Sequence, residues 1–170
     1  MPLYDATVPQ LTKMLGNLDR WLEEADADAA ARGFDPAVLL VARLAPDQFD
    51  LTRQIQSACD TAKFAGARLA RKAPSKHEDG PCSLADLRAR IADVRAFLDA
   101  LTPEDFAGAE GRLVALPFVE GKGLDPYDYL NEFALPNFYF HAVSAYSILR
   151  HNGVKLGKRA FLGRLNFQDL

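Results

Sequence analysis

The sequence holds little of the side-chain chemistry on which most sites are built: two cysteines, three histidines and one tryptophan in 170 residues. Cys59 and Cys82 belong to no CxxC or Cys/His cluster, which predicts two free thiols in a reducing compartment. Positive charge is not in excess either. Twenty Lys and Arg against 23 Asp and Glu give a net charge of −3, without the basic field expected of a nucleic-acid binder. No apolar run approaches the roughly 20 residues of a membrane span; the longest clean one is Ala37 to Ala42. The opening Met1-Pro2-Leu3-Tyr4-Asp5 has no basic region followed by an apolar run, which argues against a secretory leader. These absences predict one cytoplasmic domain that binds neither nucleic acid nor membrane.

Catalytic motifs are equally scarce. No GxSxG, HExxH, Walker-type loop or GxGxxG occurs, and no serine carries a nucleophile motif. Cys59 stands beside Asp60 in a helical pattern, a setting that raises a thiol pKa and makes a poor nucleophile.

What the chain does have is helical periodicity. Over residues 7–32, Leu11, Leu15, Leu18, Leu22, Ala25 and Ala29 keep one apolar stripe, with Thr7 as N-cap and Gly33 as stop. The segment Phe34 to Leu40 reads as a short buried helical turn. A second long helix is expected from Pro46 to Arg71, where Ala58, Ala62, Ala65 and Gly66 would let a neighbouring helix come close. Ser75 to Pro81 is a polar loop. Ser83 with Asp86 makes a capping-box start for a third helix, which carries Leu84, Leu87, Ile91, Val94, Leu98 and Leu101. Residues 112–123 suggest a small hairpin arm limited by Pro117. A fourth helix runs from Asp125-Pro126 to about Arg150, kinked or restarted near Leu135 by Pro136. Four amphipathic helices bury their stripes most economically in a four-helix bundle, an all-α fold. The whole chain, 1–170, reads as one such domain, with the tail 154–170 packing back on it.

Candidate chemistry lies on two flanks. On the fourth helix Asn137, His141, Ser144, Ile148 and His151 share a face beside the core stripe. On the second, Gln48, Thr52, Gln56, Asp60 and Lys63 do the same; Asp60 and Lys63 form a solvated surface pair on one reading, and on another Gln56 or Asp60 faces His141 to orient or protonate a ligand. On a further reading His141 is a buried histidine that fixes helix register. Metal ligation by His141 together with His151 fails on geometry: ten helical residues separate them by roughly 15 Å, whereas bonds to an ion are about 2 Å long. His77 sits apart, in the loop with Glu78 and Asp79. The tail residues Arg150, Lys155, Lys158, Arg159 and Arg164 suit an acidic partner or the chain's own Glu23 to Asp28.

The runs Arg43-Leu44-Ala45-Pro46-Asp47, Arg53-Gln54-Ile55-Gln56, Leu135-Pro136-Asn137-Phe138-Tyr139-Phe140-His141 and Leu156-Gly157-Lys158 resemble a bacterial family of unknown function, DUF1993, grouped with the DinB/YfiT-like superfamily. That resemblance covers essentially the whole chain. It implies a DinB-like four-helix bundle, usually a homodimer, whose better-known relatives hold a divalent metal through three histidines and include thiol-dependent transferases. Two of those histidines stand four apart on the last helix of the bundle and the third on the second helix. His141 matches the first of the pair, but Ala145 occupies the second position and the second helix has no histidine.

The reading is therefore a metal-free, cofactor-free DinB-like domain with an uncharacterised function, expected to form a homodimer and to bind a small molecule in a polar pocket of Gln56, Asp60, Asn137, His141 and Tyr146. Two alternatives stand beside it. One is a DinB-like metal enzyme in which His141 and carboxylates hold the ion, and the other is a non-catalytic module that recruits a protein partner.

Overall fold

A computed structural model describes residues 1–169. Leu170, the last residue of the tail, lies outside the described residues. Four long helices carry the core: α1 (Leu3–Arg32), α3 (Leu51–Ala70), α4 (Leu84–Asp99) and α6 (Leu135–His151). Short elements join them: α2 (Ala37–Leu40), a 3-10 turn (Pro103–Phe106), β1 (Val114–Ala115) paired antiparallel with β2 (Gly123–Leu124), α5 (Pro126–Asp128), a π-helical stretch (Tyr129–Ala134) and α7 (Lys158–Leu162). The fold is mainly helical, with a two-stranded sheet among the described residues. No described helix is long and apolar enough to cross a membrane.

Helix α3 is the axle of the structure, packing most extensively on α6 and then on α4, while α1 lies chiefly against α4. Its own sequence makes this possible. Ala58, Ala62 and Ala65 are buried along one side, and Gly66 comes so near α4 that a Cβ there would lie 2.8 Å from the side-chain tips of both Leu98 and Leu101. The small residues thus bring α4 close, where bulk would hold it away. Trp21, Tyr129 and Phe138 are the largest wholly buried apolar side chains of the shared core.

Several local boundaries differ from the sequence expectations, each for a definable reason. Helix α1 starts at Leu3, four residues before Thr7, because Leu3 and Ala6 are buried and Pro9 is accommodated inside the helix. Thr7 is therefore not the cap, and its hydroxyl donates to Leu3 O at 2.6 Å. Helix α3 starts at Leu51 and not at Pro46, since the Asp50 carboxylate accepts from the Arg53 backbone N–H at 2.9 Å and fixes the N-terminus. The Ser83 and Asp86 capping box forms at α4 as the sequence indicates. At Pro136 the missing N–H is met by a change of winding: residues Tyr129–Ala134 adopt π-helical turns, and α6 restarts at Leu135.

The tail reaches α1 through polar and aromatic contacts only as far as Gly163; residues 164–169 are exposed, Phe167 at 84%, so the expected packing of the tail does not extend to them. Asn17 donates to Phe161 O at 2.7 Å and Trp21 Nε1 to Ala160 O at 3.0 Å, while the Trp21 and Phe161 rings stack at 5.4 Å. Gly163 is required at its place, with φ of 65° and no room for a Cβ beside Asn17 Oδ1. None of the ion pairs found among the described residues joins a tail cation to Glu23 through Asp28, so docking on α1 does not rest on that charge pairing.

Candidate functional site

The residues proposed from the sequence as one pocket are divided between different sides of α3 and a third location on α1. On the side facing α6, Asn137 Nδ2 donates to Thr61 Oγ1 at 2.8 Å, and the His141 imidazole meets the Gln54 side chain at 2.8 Å. Gln54 Nε2 donates to Phe49 O at 3.3 Å, so its carbonyl oxygen is what His141 sees. The network therefore assigns Nδ1–H as the donor. Burial, reinforced by the Arg53 charge, pushes the His141 pKa below 6.5. Phe49 stacks on the His141 ring at 6.3 Å, with Phe140 edge-on at 5.3 Å. Tyr146 is elsewhere, edge-on to Trp21 at 5.4 Å and to Phe161 at 5.5 Å.

Asp60 does not meet His141. Counting from Gln54, six residues place Asp60 more than one and a half turns on, which turns it toward α4. There it lies 2.9 Å from Lys63 Nζ and 2.8 Å from Arg90 Nη2. The expected Asp60 and His141 couple is thus corrected: the partner across α3 and α6 is the amide of Gln54. The expected solvated pairing of Asp60 with Lys63 is corrected too, because the Lys63 side chain is only 2% exposed and Arg90 only 7%.

Residues 72–83 run as an irregular strap from the end of α3 to the start of α4, across these buried charges. His77 on the strap is held from two directions, by Lys63 Nζ at 2.9 Å from Nδ1 and by Asp93 at 3.0 Å from Nε2. Lys63 has only donors, so Nδ1 accepts and Nε2 carries the proton that Asp93 receives. Arg90 Nη1 reaches Asp79 at 2.9 Å and Glu78 O at 3.2 Å, and Arg53 also pairs with Asp79. Gln56, buried beside them, donates to Gly80 O at 2.8 Å and approaches Cys82 Sγ at 3.6 Å.

The electrostatics follow from this packing. Burial opposes ionisation of Asp79, yet the hydrogen bonds from Arg53 and Arg90 outweigh it and hold the carboxyl below its usual range. Burial likewise opposes the Arg90 charge, and Asp60 outweighs it, so Arg90 stays a firm cation. His77 is pushed below 6.5 by burial and then by the Lys63 and Arg90 charges. Cys59 beneath the cluster has its thiol pushed up to about 12, chiefly by burial.

Two cavities flank the strap. The first, about 540 Å³, is lined by Gln56, Lys76, His77, Asp79, Cys82 and Arg90 among others. The second, about 530 Å³, lies toward α2 and includes Arg53, Thr52 and Val41. Gln56 and the strap residues Asp79 to Cys82 are common to both. The ion contacts are close but imperfectly aligned. Arg90 Nη2 meets Asp60 Oδ2 at 2.8 Å off the ideal line, and Nε, shut from solvent, has no acceptor.

The sequence reading set His77 aside as a loop residue and left Gln54 and Arg90 out of its candidates. A signal for Arg90 existed: between Leu87 and Val94 it stands next to Ile91 on the apolar stripe of α4, where a charge requires a buried partner.

The three-histidine metal centre implied by the resemblance does not fit these residues. His141 is bonded to an amide, Ala145 one turn on is wholly buried in the core, and His77 is paired with a lysine. No group of three or more His, Cys, Asp or Glu among the described residues is arranged to hold an ion.

Comparison with known proteins agrees with the architecture. A crystal structure of a DinB family member protein from Shewanella denitrificans superimposes with a TM-score of 0.94 at 47% identity, covering 99% of this chain and 96% of that one. No curated protein matches the sequence. The family profile of the Domain of unknown function (DUF1993) matches residues 3–162, and the chain belongs to that family.

Proposed function

We propose that this member of the DUF1993 family is a metal-independent, DinB-like four-helix-bundle protein that binds a small polar molecule in the cavity between the strap and helices α3 and α4. The observation that carries this reading is Arg90. A guanidinium only 7% exposed stands at the wall of a cavity of about 540 Å³, with Nη2 on Asp60 and Nη1 on the partly exposed Asp79 of the strap. Such a group favours a ligand that brings an acceptor, above all a carboxylate or another oxyanion. Gln56 adds an amide on the same wall, and Asp60 holds the guanidinium at 2.8 Å. Asn137, His141 and Tyr146 of the sequence-derived pocket play no part in this site, for the structural reasons given above.

A ligand-observed NMR screen of small mono- and dicarboxylates, sugar acids and phosphate esters tests the reading. Binders are expected whose signal is lost in Gln56→Ala, which changes the cavity wall without removing a charge. A screen with no Gln56-dependent binder overturns it. The homodimer belongs to the same proposal: Phe140, 58% exposed, and Val143 form an apolar patch on α6 that suits a second copy. Sedimentation equilibrium of the wild type and Phe140→Glu reads this directly, with dissociation expected in the variant.

A further inference from the structure

The strap is anchored by a contact that only one protonation state of His77 can make. Lys63 Nζ lies 2.9 Å from His77 Nδ1, and an ammonium can only donate, so the imidazole must be neutral at that nitrogen. Nε2–H faces Asp93, which also accepts from Ser75 Oγ at 2.5 Å. The charged groups around the ring come from all three packed elements. They are Lys63 and Asp60 on α3, Arg90 and Asp93 on α4, and Lys76, Glu78 and Asp79 on the strap itself. Asp93 is half exposed, with its side chain 51% accessible, whereas Lys63 and Arg90 are deeply buried. Solvent weakens the attraction to Asp93 more than it weakens the repulsion from the two cations.

We propose that residues 72–83 form a pH-operated strap: protonation of His77 turns its acceptor toward Lys63 into a donor, sets two cations against each other, and releases the wall that the strap gives the cavity. The regulatory meaning rests on the cavity being the binding site proposed above, but strap opening itself is independent of any ligand. The remaining tethers do not titrate in the same range. Arg53 and Arg90 hold Asp79, whose carboxyl lies below its usual range. His77 alone among these anchors changes charge between neutral and mildly acid pH.

The test is the nitroxide spectrum of a spin label on the strap, at Lys76→Cys in a Cys82→Ser background, at about pH 7.5 and about pH 5, bracketing the ordinary histidine value. The ratio of mobile to immobile label is expected to rise by up to about tenfold per pH unit across the titration, the limit for one coupled proton. A label on the exposed face of α1 should not change. His77→Gln keeps an acceptor for Lys63 and a donor for Asp93 without a titrating group, and its strap spectrum should be independent of pH. An unchanged strap spectrum at pH 5 overturns the switch, and so does an equal gain in mobility in His77→Gln. A strap that opens as expected in a protein for which the carboxylate screen finds no binder retains the switch and refutes the binding site.

Discussion

The two sides of α3 solve the same problem, how to bury polar atoms, with opposite chemistries. Toward α6 the helix presents neutral groups in matched pairs, Gln54 with His141 and Thr61 with Asn137. Toward α4 and the strap it presents Asp60 and Lys63 to Arg90, His77 and Asp79, and here the contacts are close but imperfectly aligned. A neutral hydrogen bond can be completed by two side chains and then sealed by core packing. A buried ion pair needs further partners and space for them, and the cavities occur on that side. The contrast teaches that His141 serves the packing of α6 on α3, while the groups still open to a further partner lie on the charged face.

The largest effect expected on this contrast comes from Arg90→Leu. It leaves Asp60 with Lys63 alone and Asp79 with Arg53 alone; because both carboxylates are partly exposed, the loss is expected at about 3 kcal/mol, the low end for breaking a buried pair. Urea denaturation followed by circular dichroism measures it. A loss of under about 1 kcal/mol, the range of exposed pairs, would mean that the charged face is solvated and the contrast is false.

A smaller loss belongs to the neutral face. Gln54→Leu leaves the His141 Nδ1–H without its acceptor, at about 1 to 3 kcal/mol. Adding His141→Phe should recover part of that loss, because removing both partners eliminates the orphaned donor. A double-mutant cycle reads the coupling. If the double variant is as unstable as the sum of the singles, the two side chains are not a pair and the tautomer assigned to His141 is wrong.

Much of this architecture was legible in the sequence because it rests on local rules. The capping box at Ser83 and Asp86, the apolar stripes and the break at Pro136 each depend on neighbours within a few residues. The site was less legible because it depends on rotation about a helix axis. Gln54 and Gln56 are two residues apart, yet the first faces His141 on α6 and the second faces Gly80 and Cys82 on the strap. Choosing between them takes about 200° of helical rotation, which a flank pattern beside an apolar stripe does not resolve. His77 was harder still. Its role depends on where an irregular strap crosses α3, and strap geometry leaves no periodic trace in the sequence.

The smallest effect, and the one that separates the two faces most finely, is the dependence of global stability on pH through His141. Its folded-state pKa is depressed by burial and then by Arg53, relative to 6.5. Between the two values the unfolded chain binds the proton and the folded one does not, so stability increases with pH. The contribution is fully present above about pH 6.5 and is lost as pH falls through the lower folded value. His77 is depressed as well, but it sits on the strap and can discharge its strain by local opening. His141, locked between α3 and α6, has no comparable local route. The urea midpoint of the wild type should therefore fall on going from about pH 7.5 to about pH 5, less in His141→Phe, and by nearly the wild-type amount in His77→Gln. The reverse ranking would place the acid-sensitive core on the charged face and break the division between the two sides of α3.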